Sequence, residues 1–131
     1  SSCESDSGQE SFAASGVAGA AFVCTNLCSV AAGATLEAEG FVELRGLRLR
    51  RSGNGTFRGF SIGETGTLDF DGMAAGAGVV TLPATFDGVT GLDNLASWSV
   101  SLNGTAKPGY SIKIVDGQVT VMKSGLMLLV R

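Results

Sequence analysis

The sequence contains no histidine in its 131 residues. Histidine is the commonest general base, and it completes most Ser-His and Cys-His dyads and most catalytic zinc sites. No Gly-x-Ser-x-Gly motif takes its place, and no motif surrounds Lys107, Lys113 or Lys123. The carboxylate pair Glu37 and Glu39 would need a cleft on a larger scaffold to hydrolyse a glycoside. We therefore predict that the chain is not an enzyme and uses no cofactor.

Charged residues and long apolar runs are also scarce. Only 16% of the residues are charged, and the net charge is -3, so the surface as a whole offers nucleic acid no polybasic field. No segment reaches the 18 apolar residues that a membrane-spanning helix needs. We predict neither a nucleic-acid partner nor a membrane span.

Cysteine is limited to Cys3, Cys24 and Cys28, which are too clustered to link the rest of the chain. In a secreted protein, Cys24 and Cys28 would close a small loop and leave Cys3 for a second chain; three reduced thiols agree equally well with the sequence. The chain starts at Ser1, with no initiator Met, which agrees with an exported protein whose signal peptide has been removed. The predicted location is secreted or cell surface.

Glycine is abundant, with 20 residues, and from residue 34 onward short apolar runs recur every 8 to 12 positions with turn residues between them. This spacing predicts an all-β domain over residues 35–131. Five dipeptides tolerate or supply the positive φ of a tight turn. They are Asn54-Gly55, Asp71-Gly72, Asp87-Gly88, Asn103-Gly104 and Asp116-Gly117.

Two architectures agree with this pattern. Ile112 and Ile114, and then Val119 and Val121, alternate with polar residues on either side of Asp116-Gly117, which favours an antiparallel β-sandwich or jelly-roll-like domain. A short β-solenoid is the alternative, favoured by the glycine content, although no fixed repeat period is legible. The predicted core comprises Leu36, Phe41, Leu44, Leu47, Leu49, Phe57, Phe60, Ile62, Leu68, Phe70, Val80, Leu82, Phe86, Leu92, Leu95, Trp98, Val100, Leu102, Ile112, Ile114, Val119, Val121, Leu126 and Leu128.

Residues 1–34 differ from the rest in being rich in Ala, Ser and Gly. A small apolar segment at a terminus suits strand addition to the sheet edge of a neighbouring molecule, and it suits folding back on its own sheet equally well. The apolar end of the chain is either a central strand or a segment buried against another subunit. The candidate intersubunit contacts are Phe12, Val17, Phe22, Val23, Leu126 and Leu128.

Basic residues concentrate between positions 45 and 58, where Arg48 and Arg50 share one face of a predicted strand and Leu47 and Leu49 share the other. Arg48 and Arg50 are therefore candidate contacts for a polyanion, and a solvated strand face explains the pattern as well.

Three short motifs have chemical meaning. Asn54 and Asn103 each begin an Asn-Gly-Thr sequon at a predicted turn, so both are candidate glycosylation sites, and the same tripeptide is also a good hairpin turn. Asp69-Phe-Asp71-Gly72 is similar to the opening of a calcium loop. Met73 and the two alanines after it stand where oxygen ligands should follow, so we predict no metal site.

The stretch from Trp98 to Arg131 has a strand, an Asn-Gly turn, Pro-Gly-Tyr, an Asp-Gly hairpin and a terminal Gly-Leu-Met-Leu-Leu-Val-Arg. In this last third the chain resembles the C-terminal region of bacterial surface proteins with autotransporter-associated β-strand repeats. The resemblance implies an exported, cell-surface or extracellular β protein with a structural or adhesive role.

These observations predict an exported structural subunit that assembles with copies of itself into an extracellular filament or surface layer, with the N-terminal segment as a connecting strand. The alternative is a small carbohydrate-binding or adhesive β-sandwich that uses Trp98 or Tyr110 to contact a glycan. The exposure of Trp98 discriminates between the two, because a sugar-binding indole must present its ring to solvent.

Overall fold

The computed structural model describes residues 22–72 and 79–123, together with the backbone of two strands nearer the N-terminus. Almost all of its regular structure is β, with one 3-10 helix at Leu92–Ser97. The strands are β1 (Glu4–Ser5), β2 (Gln9–Ala13), β3 (Phe22–Cys24), β4 (Ser29–Val30), β5 (Thr35–Glu39), β6 (Val42–Arg50), β7 (Thr56–Arg58), β8 (Ser61–Asp71), β9 (Val79–Leu82), β10 (Thr85–Asp87), β11 (Ser99–Leu102), β12 (Thr105–Ala106), β13 (Tyr110–Val115) and β14 (Gln118–Lys123).

Most strands belong to three sheets. Sheet I has the order β10-β7-β5-β2, sheet II the order β12-β11-β8-β6-β3, and sheet III the order β13-β14-β9, while β1 pairs with β4. All neighbours in sheet I are parallel, and so are those in sheet II except for the β11–β12 hairpin. Sheet III is antiparallel.

The chain visits sheets I and II alternately, so it winds in coils that stack on one another. From β5 in sheet I it passes to β6 in sheet II, returns to β7 and β8, and after β9 returns again to β10 and β11. Equivalent residues of successive coils lie level: Thr35 pairs with Thr56, and Thr56 with Thr85. Parallel pairing of this kind needs a long connection between neighbouring strands, which the opposite half of each coil supplies.

The prediction of an all-β chain is confirmed. The antiparallel sandwich or jelly-roll is not confirmed, because the strands of sheets I and II are parallel apart from β12. The stacked coils correspond to the alternative architecture, the short β-solenoid. The described parts of residues 1–34 belong to the same stack, since β2 pairs with β5 and β3 with β6.

The core consists of columns of apolar side chains, one from each coil. In sheet II, Leu47, Leu68 and Val100 lie level, and in sheet I Leu36 lies level with Phe57 and then Phe86. The Phe57 and Phe86 rings stack with centroids 5.4 Å apart and an interplanar angle of 17°. Burying such columns between the sheets is the main source of stability in a fold of this size.

Most of the predicted core residues in the described ranges are buried, with one clear error. Phe41 is 66% exposed, because Gly40 places it at a corner between the two sheets rather than within a strand. Val80, Phe86, Leu92 and Ile114 are half-buried, and Leu126 and Leu128 lie outside the described residues. Cys28 and Val30, which were not predicted, are fully buried and extend the core into the first coil.

The turns follow the local sequence. Asn103-Gly104 and Asp116-Gly117 have positive φ at both residues (51° and 86°; 51° and 76°), and each closes a two-residue hairpin as predicted. Gly55 has another reason to be glycine. A β-carbon there would lie less than 3.0 Å from the carbonyl oxygens of Ala31 and Ala34 on the preceding coil, so the backbones could not approach so closely.

A bulge lies where β8 passes β6. Leu44 pairs with Ile62, but the next level pair is Gly46 with Thr67, so four residues of β8 face the single residue Arg45. The indole nitrogen of Trp98 donates to the Gly63 carbonyl in this bulge at 2.8 Å. The bulge therefore holds the end of the 3-10 helix against sheet II.

Candidate functional site

Stacking places charged residues in columns on the outer faces of the sheets. In sheet I, the outer column consists of Glu37, Arg58 and Asp87, which lie level on β5, β7 and β10. Arg58 Nε donates to Asp87 Oδ2 at 2.8 Å, and the two side chains are 42% and 55% exposed. This column, which we call the sheet I charge column, ends at Asp87.

The sheet I charge column was not predicted, although the sequence contains a signal for it. Thr56-Phe57-Arg58-Gly59 and Thr85-Phe86-Asp87-Gly88 repeat the order hydroxyl, aromatic, charge, glycine. In both copies the glycine has positive φ and turns the chain out of sheet I. The insertion of β9 between the copies lengthens one coil and hides the period.

In sheet II, Arg48, Asp69 and Ser101 lie level and form a second outer column. The Asp69 carboxylate is fully buried: one oxygen accepts from Arg48 Nε at 3.0 Å, and the other accepts from the Ser101 hydroxyl and from the Gly104 backbone N–H at 2.7 Å. Charge-assisted hydrogen bonds of this kind satisfy a buried carboxylate. Asp69 thus joins three coils and fixes the β11–β12 turn.

The candidate polyanion contacts lie where the sequence placed them, on the face opposite Leu47 and Leu49. Both arginine side chains already have polar partners within the chain. Arg48 is paired with Asp69, and Arg50 lies level with Asp71 and donates to the Ser29 hydroxyl at 3.4 Å. The arginine pair is therefore part of a mixed-charge surface, and polyanion binding remains a prediction.

Several strands form the edges of sheets within the described part of the chain. There, β10 pairs only with β7, β3 only with β6, and β13 only with β14. The exposed large apolar residues are Val23 on β3, Val115 on β13, Val79 on β9 and Phe41. An edge strand is a template for the addition of another strand.

The candidate intersubunit residues are placed unevenly with respect to these edges. Phe22 and Val23 lie on the edge strand β3, with Phe22 half-buried and Val23 38% exposed. Phe12 lies on β2, which pairs with β5, and its side chain is outside the described part of the structure. Val17, Leu126 and Leu128 lie outside the described residues.

Trp98 and Tyr110 line one groove of about 410 Å³, together with Val100, Lys107 and Pro108. Trp98 is only 4% exposed and its indole N–H is bonded to Gly63, so it presents little ring surface to the groove. Tyr110 is half-buried. Trp98 therefore does not present its ring to solvent as a sugar-binding indole must, and glycan contact by Tyr110 stays a prediction.

The two sequons differ in accessibility. Asn54 Nδ2 donates to the carbonyls of Arg50 and Pro83, each at 2.9 Å, while its Oδ1 accepts from Arg50 N–H at 2.8 Å. Both amide hydrogens are thus engaged in the folded chain. Asn103 is exposed at the tip of its hairpin, where Oδ1 accepts from Gly72 N–H at 3.1 Å. Modification of either residue remains a prediction.

The predicted Cys24–Cys28 disulfide is wrong. Cys24 takes part in a disulfide, but Cys28 lies outside it as a fully buried thiol. Cys28 is level with Leu47 and belongs to an apolar column of sheet II, so its side chain fills the core. A disulfide at Cys24 is typical of proteins from oxidising compartments.

Two kinds of feature are absent from the described residues. No group of three or more His, Cys, Asp or Glu side chains lies close enough to hold a metal ion. Within the same residues, no helix has the length and apolar character needed to cross a bilayer.

The chain was compared with models of known protein families, with curated proteins and with solved structures. None of the three comparisons finds a match.

Proposed function

We propose that the chain is an exported structural subunit that assembles with copies of itself into a filament or surface layer, by adding strands at the edges of its sheets. The observation that supports this most is the stack of parallel coils, which ends in strands that pair on one side only in the described chain. A coil stack is extended by the same interactions that hold it together, namely ladder hydrogen bonds and level apolar side chains.

Two other features agree with this proposal. The sheet I column of Leu36, Phe57 and Phe86 ends in a half-buried aromatic ring, which a further strand would cover. The Cys24 disulfide fits an extracellular location. A contact that joins the two different ends of a stack is head-to-tail, and such contacts give open assemblies when they do not close into a ring.

The test is sedimentation velocity and negative-stain electron microscopy of the full chain over a range of concentrations. We expect concentration-dependent assemblies. An edge-blocked variant should remain monomeric, because lysine on an edge strand opposes the pairing of strands. That variant carries Val23→Lys, Thr85→Lys and Val115→Lys, on β3, β10 and β13.

The matched control has the same change in charge away from the strands. It carries Thr25→Lys, Ser52→Lys and Ala96→Lys, all at exposed positions in loops or in the 3-10 helix. We expect the control to assemble like the unmodified chain. A full chain that stays monomeric at every concentration, with a native circular dichroism spectrum, would contradict the proposed function.

A further inference from the structure

We propose that copies assemble head-to-tail through a parallel ladder between β10 of one copy and β3 of the next, with Thr85 level with Val23 and Phe86 level with Cys24. This inference rests on the proposed function, and it specifies the contact. The two strands lie at opposite ends of the described stack, because β10 follows β7 at the end of sheet I and β3 precedes β6 at the end of sheet II.

Both strands have an outer edge, by which we mean the side that pairs with no described strand. Of the described elements, only β7 packs extensively along β10, and only β6 packs extensively along β3. Thr85 and Val23 are exposed on these strands, and Phe86 is half-buried. Each outer edge can therefore accept a strand from another molecule.

The hydrogen-bond pattern of β10 determines which of its residues faces the outer edge. Thr85 N–H donates to the Gly55 carbonyl, and Gly59 N–H donates to the Asp87 carbonyl, so Thr85 and Asp87 direct their backbone groups toward β7. In a β-ladder, alternate residues bond to opposite sides. The backbone N–H and C=O of Phe86 therefore point to the outer edge of β10.

The same reasoning applies to β3. Phe22 lies level with Val42, and its N–H donates to the Phe41 carbonyl at 2.7 Å, so Phe22 bonds to β6. By alternation Cys24 also bonds to β6, and the backbone groups of Val23 point to the outer edge.

These patterns select a parallel contact. In an antiparallel pair, residues whose backbone groups point at each other lie directly opposite, so Phe86 of the inner face would meet Val23 of the outer face. In a parallel pair, each residue that bonds across the contact lies level with one that bonds away from it. Phe86 then lies level with Phe22 or Cys24, and all three belong to the core cluster or pack against it.

The winding of the stack permits this direction. The strands of sheets I and II follow one sense of winding about the stack axis, since successive coils pair in parallel. A rotation of the next copy about that axis therefore brings its β3 beside β10 with both strands running the same way.

The outer faces select one of the two parallel registers. Val23 lies level with Thr85 in the first register and with Asp87 in the second. Thr85 is the better neighbour, because its methyl group contacts an exposed apolar side chain, whereas Asp87 would place a carboxylate there. In the Thr85 register, Phe86 lies level with the buried Cys24.

The other strand at the same end of the stack, β2, matches β10 less well. Its backbone register places Glu10 level with Leu36, so an acidic residue ends that apolar column of sheet I. The corresponding position on β3 is Cys24, which lies in the buried core cluster. The ring of Phe86 therefore finds an apolar neighbour on β3.

The test compares two double variants of the full chain that carry charges at the same two positions. Val23→Lys with Thr85→Lys places like charges level with each other at every contact, so we expect assembly to need at least about a tenfold higher concentration. Val23→Lys with Thr85→Glu places opposite charges there and should assemble at about the concentration of the unmodified chain. Sedimentation velocity at low salt measures all three samples.

The matched controls carry the same charges away from both edges, as Ser52→Lys with Ala96→Lys and as Ser52→Lys with Ala96→Glu. Both positions are exposed, and we expect these two controls to assemble alike. Circular dichroism should give every variant the native spectrum, since all four positions lie at the surface.

Two results would overturn the inference in different ways. If the Lys–Lys and Lys–Glu variants at positions 23 and 85 assemble equally, whether well or badly, the two positions do not lie level and the β10–β3 contact is wrong while assembly itself stands. If the unmodified chain does not assemble, the proposed function fails and the contact with it.

Discussion

At the scale of single residues, Asp69 is the most informative side chain in the molecule. It is a carboxylate with no exposed surface, and it accepts hydrogen bonds from Arg48, Ser101 and Gly104. A buried charge is costly unless it is paired and hydrogen-bonded, and here both carboxylate oxygens have partners. Asp69 therefore stabilises the stack only as long as its donors remain in place.

Replacing Asp69 with asparagine should lower the free energy of unfolding by about 3 kcal/mol, because one donor then faces an amide nitrogen and Arg48 loses its counter-charge. Urea unfolding monitored by circular dichroism measures the change. Asp87→Asn removes a carboxylate from an arginine pair of similar length, 2.8 Å, but at the surface, and should cost less than about 1 kcal/mol. Equal losses in the two variants would show that burial of Asp69 contributes nothing.

The sequence predicts the buried faces of the sheet II strands well, and it predicts their charged faces poorly. Leu47 and Leu49 alternate with Arg48 and Arg50, and period-two alternation alone assigns each pair to a face. The burial of Asp69 depends on its level neighbours in two other coils. That register is a property of the assembled stack, so local alternation does not reveal it.

At the scale of elements, the bulge at residues 63–66 packs against Trp98, which directly follows the 3-10 helix. A β-carbon on Gly66 would lie 2.5 Å from the Arg45 carbonyl oxygen and 2.6 Å from Cε2 of Trp98, so only glycine lets the strand pass between the neighbouring backbone and the indole ring. Because Trp98 also bonds to Gly63, the bulge and the ring position each other.

Gly66→Ala should therefore displace Trp98 and lower the free energy of unfolding by about 2 kcal/mol. Because Trp98 is the only tryptophan, its fluorescence reports the displacement as a red shift and as easier quenching by acrylamide. Gly109→Ala is the control, since nothing lies within 4 Å of a β-carbon at that position; it should change stability by less than about 0.5 kcal/mol. An unshifted emission spectrum in Gly66→Ala would count against the contact.

Hairpins were predictable from the sequence and the bulge was not. Asp116-Gly117 and Asn103-Gly104 determine their turns through local backbone preference, and both turns form as expected. The bulge depends on Trp98, which is more than thirty positions further along the chain. Local patterns contain no information about such a distant partner.

At the scale of the whole molecule, the first strands are part of the stack. Cys24, Cys28 and Val30 are buried in the same core cluster as the later coils, and Gly55 approaches the backbone of residues 31 and 34 closely. The described parts of residues 1–34 therefore cover the first face of the coil that begins at Thr35.

A chain lacking residues 1–30 should lose its cooperative unfolding transition, because Leu44 and Leu47 would lose the buried Cys24 and Cys28 that lie level with them. Thermal unfolding followed by circular dichroism tests this, with Val30→Ala as a milder comparison that should cost about 2 kcal/mol. A truncated chain that unfolds as sharply as the full one would mean that the later coils are stable alone.

The repeat was hidden from the sequence because the coils differ in length. The coil from Thr35 to Thr56 contains no inserted strand, whereas the coil from Thr56 to Thr85 contains β9. Insertions that leave the level pairs intact are tolerated by a stack, and they remove the fixed period by which a solenoid is usually detected.

The parallel pairing of sheets I and II has a consequence for the kinetics of folding. Apart from the β11–β12 hairpin, each ladder in these sheets joins residues about 20 to 30 positions apart, so a loop must close before any of its hydrogen bonds form. Chains dominated by such non-local pairs fold slowly. A newly made chain therefore exposes its unpaired strands until these loops have closed. During that time, loop closure competes with aggregation between unfolded chains.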